Sequence, residues 1–172
     1  MGPVTTRLRS LVSTGSLMAA AASIALAVAC LVLTVPGAQA KAGDDDRAMF
    51  QALYQRWTDA FNRKDLAGSC ALFSPNLVAD YRGVPRKNYA TIKGGFEKTF
   101  ARFNSNCKYS FKLHEIYRSG NLAAVRVTWY LTVTERGKPA SSVTTQDEGL
   151  DVLEKGRDGR WQIVNFLGYE RP

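Results

Sequence analysis

Only one histidine, His114, is available in this sequence for acid–base or nucleophilic chemistry. It alternates with Lys112 and Ile116 along a strand-like segment, on the opposite face from Phe111 and Leu113. We therefore predict a histidine at the surface or at an interface. A Ser-His-Asp catalytic set requires a histidine between its serine and its carboxylate, so a hydrolase of that class is not expected.

Carboxylates at two places in the sequence are candidates for a functional role. Asp80 ends a short strand-like segment, where the simplest interpretation is a carboxylate that faces water or caps the next turn. Asp147, Glu148 and Asp151 form an acidic patch on a later strand. Glu148 shares a strand face with Leu150, which leaves an inward orientation open, but solvated charge at a sheet edge is the favoured interpretation of the patch.

The cysteines are too few and too far apart to form a metal site. Cys70 and Cys107 are the two that follow the N-terminal apolar segment, and in an oxidising compartment such a pair favours a disulfide. Two buried thiols are the alternative, because sequence does not show whether the two Cα atoms lie within bridging range. With one histidine and two distant cysteines, we expect no metal and no cofactor.

The N-terminus has the organisation of a secretory signal. Arg7 and Arg9 precede an apolar run over 17–35, Pro36-Gly37 breaks that run, and 38–40 reads Ala-Gln-Ala, a small-x-small pattern. We interpret residues 1–40 as a signal peptide with cleavage before Lys41, and therefore predict a periplasmic or secreted protein. An uncleaved membrane anchor at 17–35, or a lipoprotein at Cys30, are the alternatives.

Charge and length limit the classes of partner. Residues 41–172 are predicted to form one domain, and its net charge is +6, because the segment before it carries two arginines and no acid. The basic residues are scattered over helices, turns and strands. Nucleic acid needs a concentrated basic stripe with stacking aromatics, so we expect no nucleic-acid partner.

Three helices are predicted in the first half of the domain. Asp44 to Asp46 begin the first, whose apolar residues recur at three- and four-residue spacing up to Asn62. Asp65 caps a short second helix, and Asn88 caps a third that carries Phe96. The pair Gly94-Gly95 in that third helix predicts the close approach of another backbone.

Long strands dominate the second half, and the segment 121–135 is central to them. Its residues alternate between an apolar face with Val125, Val127 and Trp129 and a polar face with Arg126 and Thr128. Further strands are predicted over 76–82, from Cys107, over 142–154 and over 160–170. The turns between the long strands carry Gly120, Gly137 and Asp158-Gly159.

The order of the predicted elements indicates an α+β fold: two helices, a strand, a third helix and then four strands linked by hairpins. Three helices cannot bury their apolar stripes alone, so they must pack on the apolar face of a strongly curved, mostly antiparallel sheet. Such a cone-shaped roll has an open end, which is the natural place for a pocket.

This order of elements resembles the nuclear transport factor 2-like superfamily, and within it the ketosteroid-isomerase and SnoaL-like group. Four stretches, which together span nearly all of residues 46–170, carry the resemblance: YQRWTDAFNRKDL at 54–66, LFSPNLVAD at 72–80, the loop and helix start at 83–96, and DGRWQI at 158–163. The resemblance implies a cone-shaped α+β roll whose members include enzymes and non-catalytic binding or dimerisation modules.

The isomerase-like members have a tyrosine on the first helix, a carboxylate at the end of the first strand and a second, protonated carboxylate deeper in the pocket. Counting without gaps from Asp65 places Trp57 at the tyrosine position and Tyr81 at the carboxylate position. A shift of one residue would restore Asp80 as the base, but it would turn that side chain to the other face of the strand. No residue on 121–135 matches the second carboxylate.

The resemblance implies three hypotheses for function. The favoured one is an exported protein that binds a small, largely apolar molecule in a pocket lined by Trp57, Tyr81, Phe96, Trp129 and Asn165. The second is a proton-transfer isomerase or cyclase that uses Asp80 as its base. The third is a non-catalytic interaction module whose cone is filled by its own aromatic side chains.

The polar face of the central strand predicts a homodimer. Arg126, Thr128, Tyr130 and Thr132 combine threonine and tyrosine with little charge, which suits an interface better than bare solvent. In the family that it resembles, this outer sheet face often forms the dimer contact. Contact with a membrane is expected only if residues 17–35 are not cleaved.

Overall fold

The structure is a computed structural model that describes residues 43–171, apart from the side chains of residues 139 and 140. The predicted signal peptide, residues 1–40, lies outside the described residues. The helices are α1 (Asp44–Asn62), α2 (Leu66–Cys70) and α3 (Tyr89–Phe100). The strands are β1 (Phe73–Tyr81), β2 (Lys87–Asn88), β3 (Ser105–Ser119), β4 (Leu122–Glu135), β5 (Lys138–Lys155) and β6 (Trp161–Glu170).

The strands form one six-stranded sheet in the order β2-β1-β6-β5-β4-β3. Strands β3 to β6 form an antiparallel meander, as the three hairpin turns predicted, and β1 pairs with β6 in parallel. The sheet is curved and unclosed, and the three helices pack on it. The predicted α+β class, with three helices on a curved, mostly antiparallel sheet, is therefore confirmed.

Local sequence signals begin the second and third helices where they were predicted. The Asp65 carboxylate accepts a hydrogen bond from the Gly68 backbone N–H, and the Asn88 side chain accepts one from Thr91. Each cap satisfies one of the otherwise unpaired N–H groups of a helix start.

The core lies between α1 and one face of the sheet, which we call the inner face. From α1, Phe50, Tyr54 and Phe61 are buried, and on β4 Val125 and Val127 are fully buried. Residues Arg126, Thr128, Tyr130 and Thr132 of β4 alternate with these and lie on the opposite, outer face. We call the space between the inner face and helices α1 and α3 the cone.

Bulges shift the alternation on two strands and correct two expectations. On β3 the pairing passes from Leu113 to Ile116, so Ile116 is buried in the core together with Leu113, although the sequence pattern placed these two residues on opposite faces. On β6 it passes from Ile163 to Asn165. Each bulge inserts residues that have no direct partner, so residues after it change face.

The cover that α3 provides is less deeply packed than that of α1. Its residues include none that is fully buried, and Tyr89, Ile92, Phe96 and Phe100 are partly buried against the core. The expected close approach of a backbone at Gly94-Gly95 is wrong, because a Cβ at either position would meet no atom within 4 Å. The glycine pair instead lowers the helix propensity of α3, by about 1 kcal/mol per glycine relative to alanine.

Candidate functional site

A carboxylate with two tyrosines lies on the inner face, at the end of β1 and in the middle of β5. The Tyr81 hydroxyl donates a hydrogen bond of 2.6 Å to Oδ1 of Asp147. Burial, and then the hydrogen bond to Asp147, raise the pKa of Tyr81. Burial, and then the charge of the same carboxylate, raise the pKa of Tyr109, whose ring lies 5.9 Å from that of Trp129, the strand partner of Asp147. We call Tyr81, Tyr109 and Asp147 the mouth cluster.

The mouth cluster keeps unused hydrogen-bonding capacity. Among residues 43–171, Oδ2 of Asp147 and the hydroxyl of Tyr109 form no hydrogen bond, whereas the backbone of Tyr109 is fixed by both ends of the Asn62 side chain. Asp147 is only partly buried. A ligand with a hydroxyl or N–H group would therefore find an acceptor at Asp147 and a second polar contact at Tyr109.

A second carboxylate–tyrosine pair is sealed inside the core. The Tyr54 hydroxyl of α1 donates a hydrogen bond of 2.5 Å to Oδ2 of Asp151, which is 1% exposed. Burial raises the pKa of Asp151 to about 7, an effect that the hydrogen bond from Tyr54 only partly opposes. Burial and the negative charge of Asp151 raise the pKa of Tyr54. The second oxygen of Asp151, Oδ1, is buried without a hydrogen-bond partner.

A carboxylate–tyrosine pair of this kind can stabilise a reaction intermediate by donating hydrogen bonds. A protonated carboxyl and a phenol in apolar surroundings donate hydrogen bonds to a carbonyl oxygen that gains negative charge. Perturbed carboxylates of this kind are concentrated at functional sites, although buried structural pairs show the same shift.

The ring of Phe166 separates the two carboxylates. Asp147 and Asp151 are four residues apart on β5, and Gly149 lies between them opposite Gly168 of β6. The Phe166 ring packs over this glycine pair, because a Cβ on Gly149 would lie 3.3 Å from its Cε2 and one on Gly168 would lie 2.5 Å from its Cζ. A ligand at the mouth cluster reaches Asp151 only if the Phe166 side chain moves.

The wall of the cone is aromatic, and Trp57 is at its centre. Its ring lies 4.8 Å from the Trp129 ring and 6.2 Å from that of Phe96, between centroids. Its indole N–H donates a hydrogen bond of 2.8 Å to the Ser69 carbonyl, which ties α1 to α2. Trp129 in turn stacks on Tyr54 at 5.5 Å. The structure thus brings together Trp57, Phe96 and Trp129 on the inside of the cone, with Tyr81 in the mouth cluster.

Two of the site residues expected from the sequence lie outside the cone. Asp80 pairs with Leu167 on the outer face, where Arg86 holds both of its carboxylate oxygens at 2.8 and 2.9 Å. The hydrogen bond from Arg86 lowers the pKa of Asp80, which weakens it as a base. Asn165 also lies on the outer face, because the bulge in β6 moves it there. Asp80, which was expected as the catalytic base, and Asn165, which was expected in the pocket wall, therefore both face away from the cone.

The disulfide expected between Cys70 and Cys107 is not formed, and both residues are free thiols. Cys70 is buried on α2, and its thiol interacts with Tyr89 and Lys93 of α3, whereas Cys107 lies on β3 opposite Val133. Burial raises the pKa of the Cys70 thiol. The two side chains thus belong to different contacts, which sequence spacing alone does not reveal.

The outer face carries a polar cluster beside an apolar groove. Thr128 is buried there, 2.7 Å from Nε2 of His114 and 3.2 Å from both carboxylate oxygens of Glu148. Next to it, a groove of about 530 Å³ has exposed Leu150, Leu167 and Tyr169 among its lining residues. Glu148 is thus a buried outer-face residue, and not the solvated edge charge that the sequence favoured.

The described part of the chain contains neither a membrane-spanning helix nor a cluster of metal ligands. No helix within residues 43–171 is long and apolar enough to cross a bilayer. In the same range, His, Cys, Asp and Glu side chains do not come together in groups of three or more that would hold a metal ion.

Comparison with known proteins identifies the family. The model of the SnoaL-like domain matches residues 54–164, which is more than half of the chain. The chain belongs to the SnoaL-like domain family. No curated protein matches the sequence.

Solved structures share the fold at low sequence identity. A conserved protein from Planctomyces limnophilus is 17% identical, with a TM-score of 0.64 over 74% of this chain and 98% of that one. A ketosteroid isomerase-like protein from Erwinia carotovora atroseptica is 19% identical, with a TM-score of 0.60 over 76% and 99%. A protein from Catenulispora acidiphila in complex with S-DNPA is 16% identical, with a TM-score of 0.62 over 74% and 95%. These likenesses establish the fold of the SnoaL-like domain.

Sequence reasoning missed both inner-face carboxylates of this SnoaL-like domain. Asp147 and Asp151 share a period-2 phase with the fully buried Leu153, but the sequence pattern alone did not distinguish that phase from the phase of Leu150 and Val152. The second carboxylate was sought on 121–135, which is β4, whereas Asp151 lies on the neighbouring strand opposite Val125.

Proposed function

We propose that the cone of this SnoaL-like domain binds a small, flat, largely apolar molecule that carries one hydrogen-bonding group. The observation that carries the proposal is the mouth cluster. A partly buried carboxylate, with one oxygen unused within the described residues, lies between two tyrosines in an otherwise aromatic wall. Binding sites for small molecules commonly combine apolar walls with a few such polar groups.

The packing of α3 supports entry of a ligand. The interior of the cone is occupied by its own aromatic rings, so a ligand needs a wall that moves. Helix α3 lacks fully buried side chains and contains Gly94-Gly95, with open space around both. The region with the least buried packing opens at the lowest free energy, so α3 is the expected moving wall.

The relatives are consistent with a binding role. The Catenulispora acidiphila protein was solved in complex with S-DNPA, so this fold accommodates a small molecule in at least that case. We also propose that the protein acts outside the cytoplasm after removal of residues 1–40. That part of the proposal is supported by the basic, apolar and small-x-small pattern of the N-terminal sequence.

Binding of 2-naphthol, a flat aromatic molecule with one hydroxyl, is the test of the cone site. We expect Asp147→Asn to weaken binding about tenfold, because a hydrogen bond to a charged acceptor contributes about 1.5–3 kcal/mol and 1.4 kcal/mol is a factor of ten. Isothermal titration calorimetry with 2-naphthol as the titrant measures the affinity of the wild type and the variant directly.

The matched control is Glu148→Gln, which neutralises the adjacent carboxylate on the outer face of the same strand. We expect this variant to bind 2-naphthol within twofold of the wild type. The proposal is abandoned if the wild-type protein does not bind 2-naphthol at millimolar concentration, or if both variants lose affinity equally.

A homodimer through the outer face is the second candidate, and the exposed apolar groove favours it. Leu150, Leu167 and Tyr169 are 40%, 50% and 46% exposed, and they adjoin the predicted contact residues Arg126 and Thr128. A symmetric contact would bury this patch on both copies at once. This role is compatible with the cone site, because the two lie on opposite faces of the sheet.

Replacing both Leu150 and Leu167 with serine is expected to weaken the dimer at least tenfold. Each leucine that is buried at an interface contributes about 1.5–3 kcal/mol, and each is present twice in a two-fold contact. Sedimentation velocity over a concentration series measures the change. Val143→Ser removes an exposed apolar side chain from another part of the sheet and serves as the control. A wild-type protein that is strictly monomeric at micromolar concentration contradicts the proposal.

A further inference from the structure

A second groove, outside the cone, lies between α1, α2 and the β5–β6 hairpin and has a volume of about 610 Å³. It is separate from both the mouth cluster and the outer face. Its apolar floor includes Met49 and Leu53 of α1, Leu72, and Trp161 at the start of β6. We call it the hairpin groove.

One stripe of α1 provides a long wall of this groove. Met49, Leu53, Arg56, Ala60 and Arg63 are spaced by four, three, four and three residues, so they lie along one face of the helix. Arg63, the residue that caps the C-terminus of α1, lies seven positions after Arg56, which corresponds to about 10 Å along the axis. The stripe thus begins apolar and ends basic.

Three of the four cations that line the hairpin groove are unpaired within the described residues, whereas its carboxylates accept hydrogen bonds. Within the described part of the chain, Arg56, Arg63 and Lys155 form no ion pair and no side-chain hydrogen bond, and only Arg160 has a partner, Asp158. The other lining carboxylates, those of residues 59 and 65, accept hydrogen bonds from Gln55 and from the Gly68 backbone. The lining side chains therefore carry four positive and two negative charges, and three of the four cations have no paired carboxylate within the described residues.

A buried donor in the wall of the groove also lacks a partner. Trp161 is 6% exposed, and its indole N–H forms no hydrogen bond with any described residue. The guanidinium of Arg118 lies over its ring, 5.5 Å from the centroid, and Phe50 packs against it at 5.2 Å. Buried donors are normally satisfied, and this one has no partner among residues 43–171.

We propose that the hairpin groove binds an amphiphilic organic carboxylate. Its hydrocarbon body would lie on Met49, Leu53 and Leu72, and its carboxylate would meet the unpaired arginines. Guanidinium groups recognise carboxylates with paired, charge-assisted hydrogen bonds. Trp57 borders both the cone and this groove, but the proposal uses none of the residues of the mouth cluster.

Calorimetric titration of the full chain with decanoate, 1-decanol and decylamine tests the proposal. The three probes share one hydrocarbon chain and differ in head-group charge. We expect decanoate to bind at least tenfold more tightly than 1-decanol, and decylamine to bind most weakly, because the groove is positive. Equal binding of decanoate and decylamine overturns the proposal, as does the absence of decanoate binding.

Paired charge variants localise the site. Arg56→Gln with Arg63→Gln is expected to weaken decanoate binding at least tenfold. The control pair, Lys112→Gln with Arg136→Gln, removes the same charge from exposed positions elsewhere and should change the affinity less than twofold. If both pairs weaken binding equally, the attraction belongs to the whole basic protein and the site is refuted.

Trp161→Phe distinguishes ligand binding from a structural role. Phenylalanine keeps an aromatic ring in the core but removes part of the indole together with an N–H that has no partner among residues 43–171, so stability should fall only modestly while decanoate affinity falls several-fold. Loss of stability without loss of affinity would overturn the assignment. Asp147→Asn should leave decanoate binding unchanged, which separates this result from failure of the cone proposal. Binding to anionic phospholipid vesicles without binding to decanoate would also overturn it.

Discussion

The free energy of unfolding of the wild-type protein is expected to fall as the pH rises from 4 to 7. In the Asp151→Asn variant, most of this fall should be absent. Burial raises the folded-state pKa of Asp151 from an ordinary value of 3.8 to about 7. The folded protein therefore holds a proton in this range that the unfolded chain releases. The stability contributed by protonated Asp151 is fully present below about pH 4 and is lost as the pH rises to about 7.

The size of this effect makes it measurable by urea unfolding at one-unit pH intervals. A difference of about three pKa units corresponds to about 4 kcal/mol, which is a large part of the stability of a domain of this size. Asparagine keeps an acceptor for the Tyr54 hydroxyl and cannot ionise. The difference between the wild-type and Asp151→Asn stabilities should therefore fall steadily between pH 4 and pH 7 and then level off.

Asp80→Asn is the control with the opposite sign. Its ion pair with Arg86 lowers the pKa of Asp80, so its contribution is present above the unfolded pKa and is lost as the pH falls. The pair is exposed, and exposed pairs contribute little. If wild type and Asp151→Asn have the same pH dependence, the raised pKa of Asp151 is refuted, together with its role as a neutral hydrogen-bond donor.

The elements of this fold were predictable because each has a local cause. Side-chain caps at Asp65 and Asn88 begin α2 and α3, and glycines with positive φ at 120, 137 and 159 lie in the three hairpin turns. A period of two over long segments then determines an antiparallel meander. These signals act within a few residues of where they are read, so tertiary contacts did not override them.

The candidate site was less predictable because it depends on strand phase. On β5, Leu150 and Val152 occupy one phase and Leu153 the other, so hydrophobicity does not choose the inner face. In the structure Leu153 faces the core, so Asp147 and Asp151, which lie on the same face of β5, point inward as well. On β6 the bulge after Ile163 exchanges the inward- and outward-facing residues, and no feature of the sequence there predicts a bulge.

A shift of one residue along β1 decides whether Asp80 or Tyr81 points into the cone. The ungapped count placed Tyr81 at the position of the catalytic carboxylate, and the structure indeed directs Tyr81 into the cone and Asp80 outward. The inner face still has carboxylates, but they come from β5. Any proton-transfer chemistry in this chain would therefore use a different set of residues from the one that the resemblance implied.

Trp57→Ala is the substitution with the largest expected effect on stability. Trp57 is 6% exposed and contacts five aromatic rings. Truncation of a buried tryptophan costs about 3–5 kcal/mol, and the Ser69 carbonyl would lose its partner as well. We expect the free energy of unfolding, measured in urea, to fall by about 5 kcal/mol, which brings a domain of ordinary stability close to unfolding.

Conservative variants of two tryptophans separate the ring of Trp57 from its hydrogen bond. Trp57→Phe keeps a ring but leaves the buried Ser69 carbonyl unpaired, so a loss of about 1–3 kcal/mol is expected. Trp161 is equally buried, but its indole N–H has no partner within residues 43–171, so Trp161→Phe should cost clearly less. If the two variants are destabilised equally, the link between α1 and α2 through Ser69 contributes nothing. Trp57 would then stabilise the cone through ring packing alone, and the position of α2 would depend on the Asp65 cap and on apolar contacts.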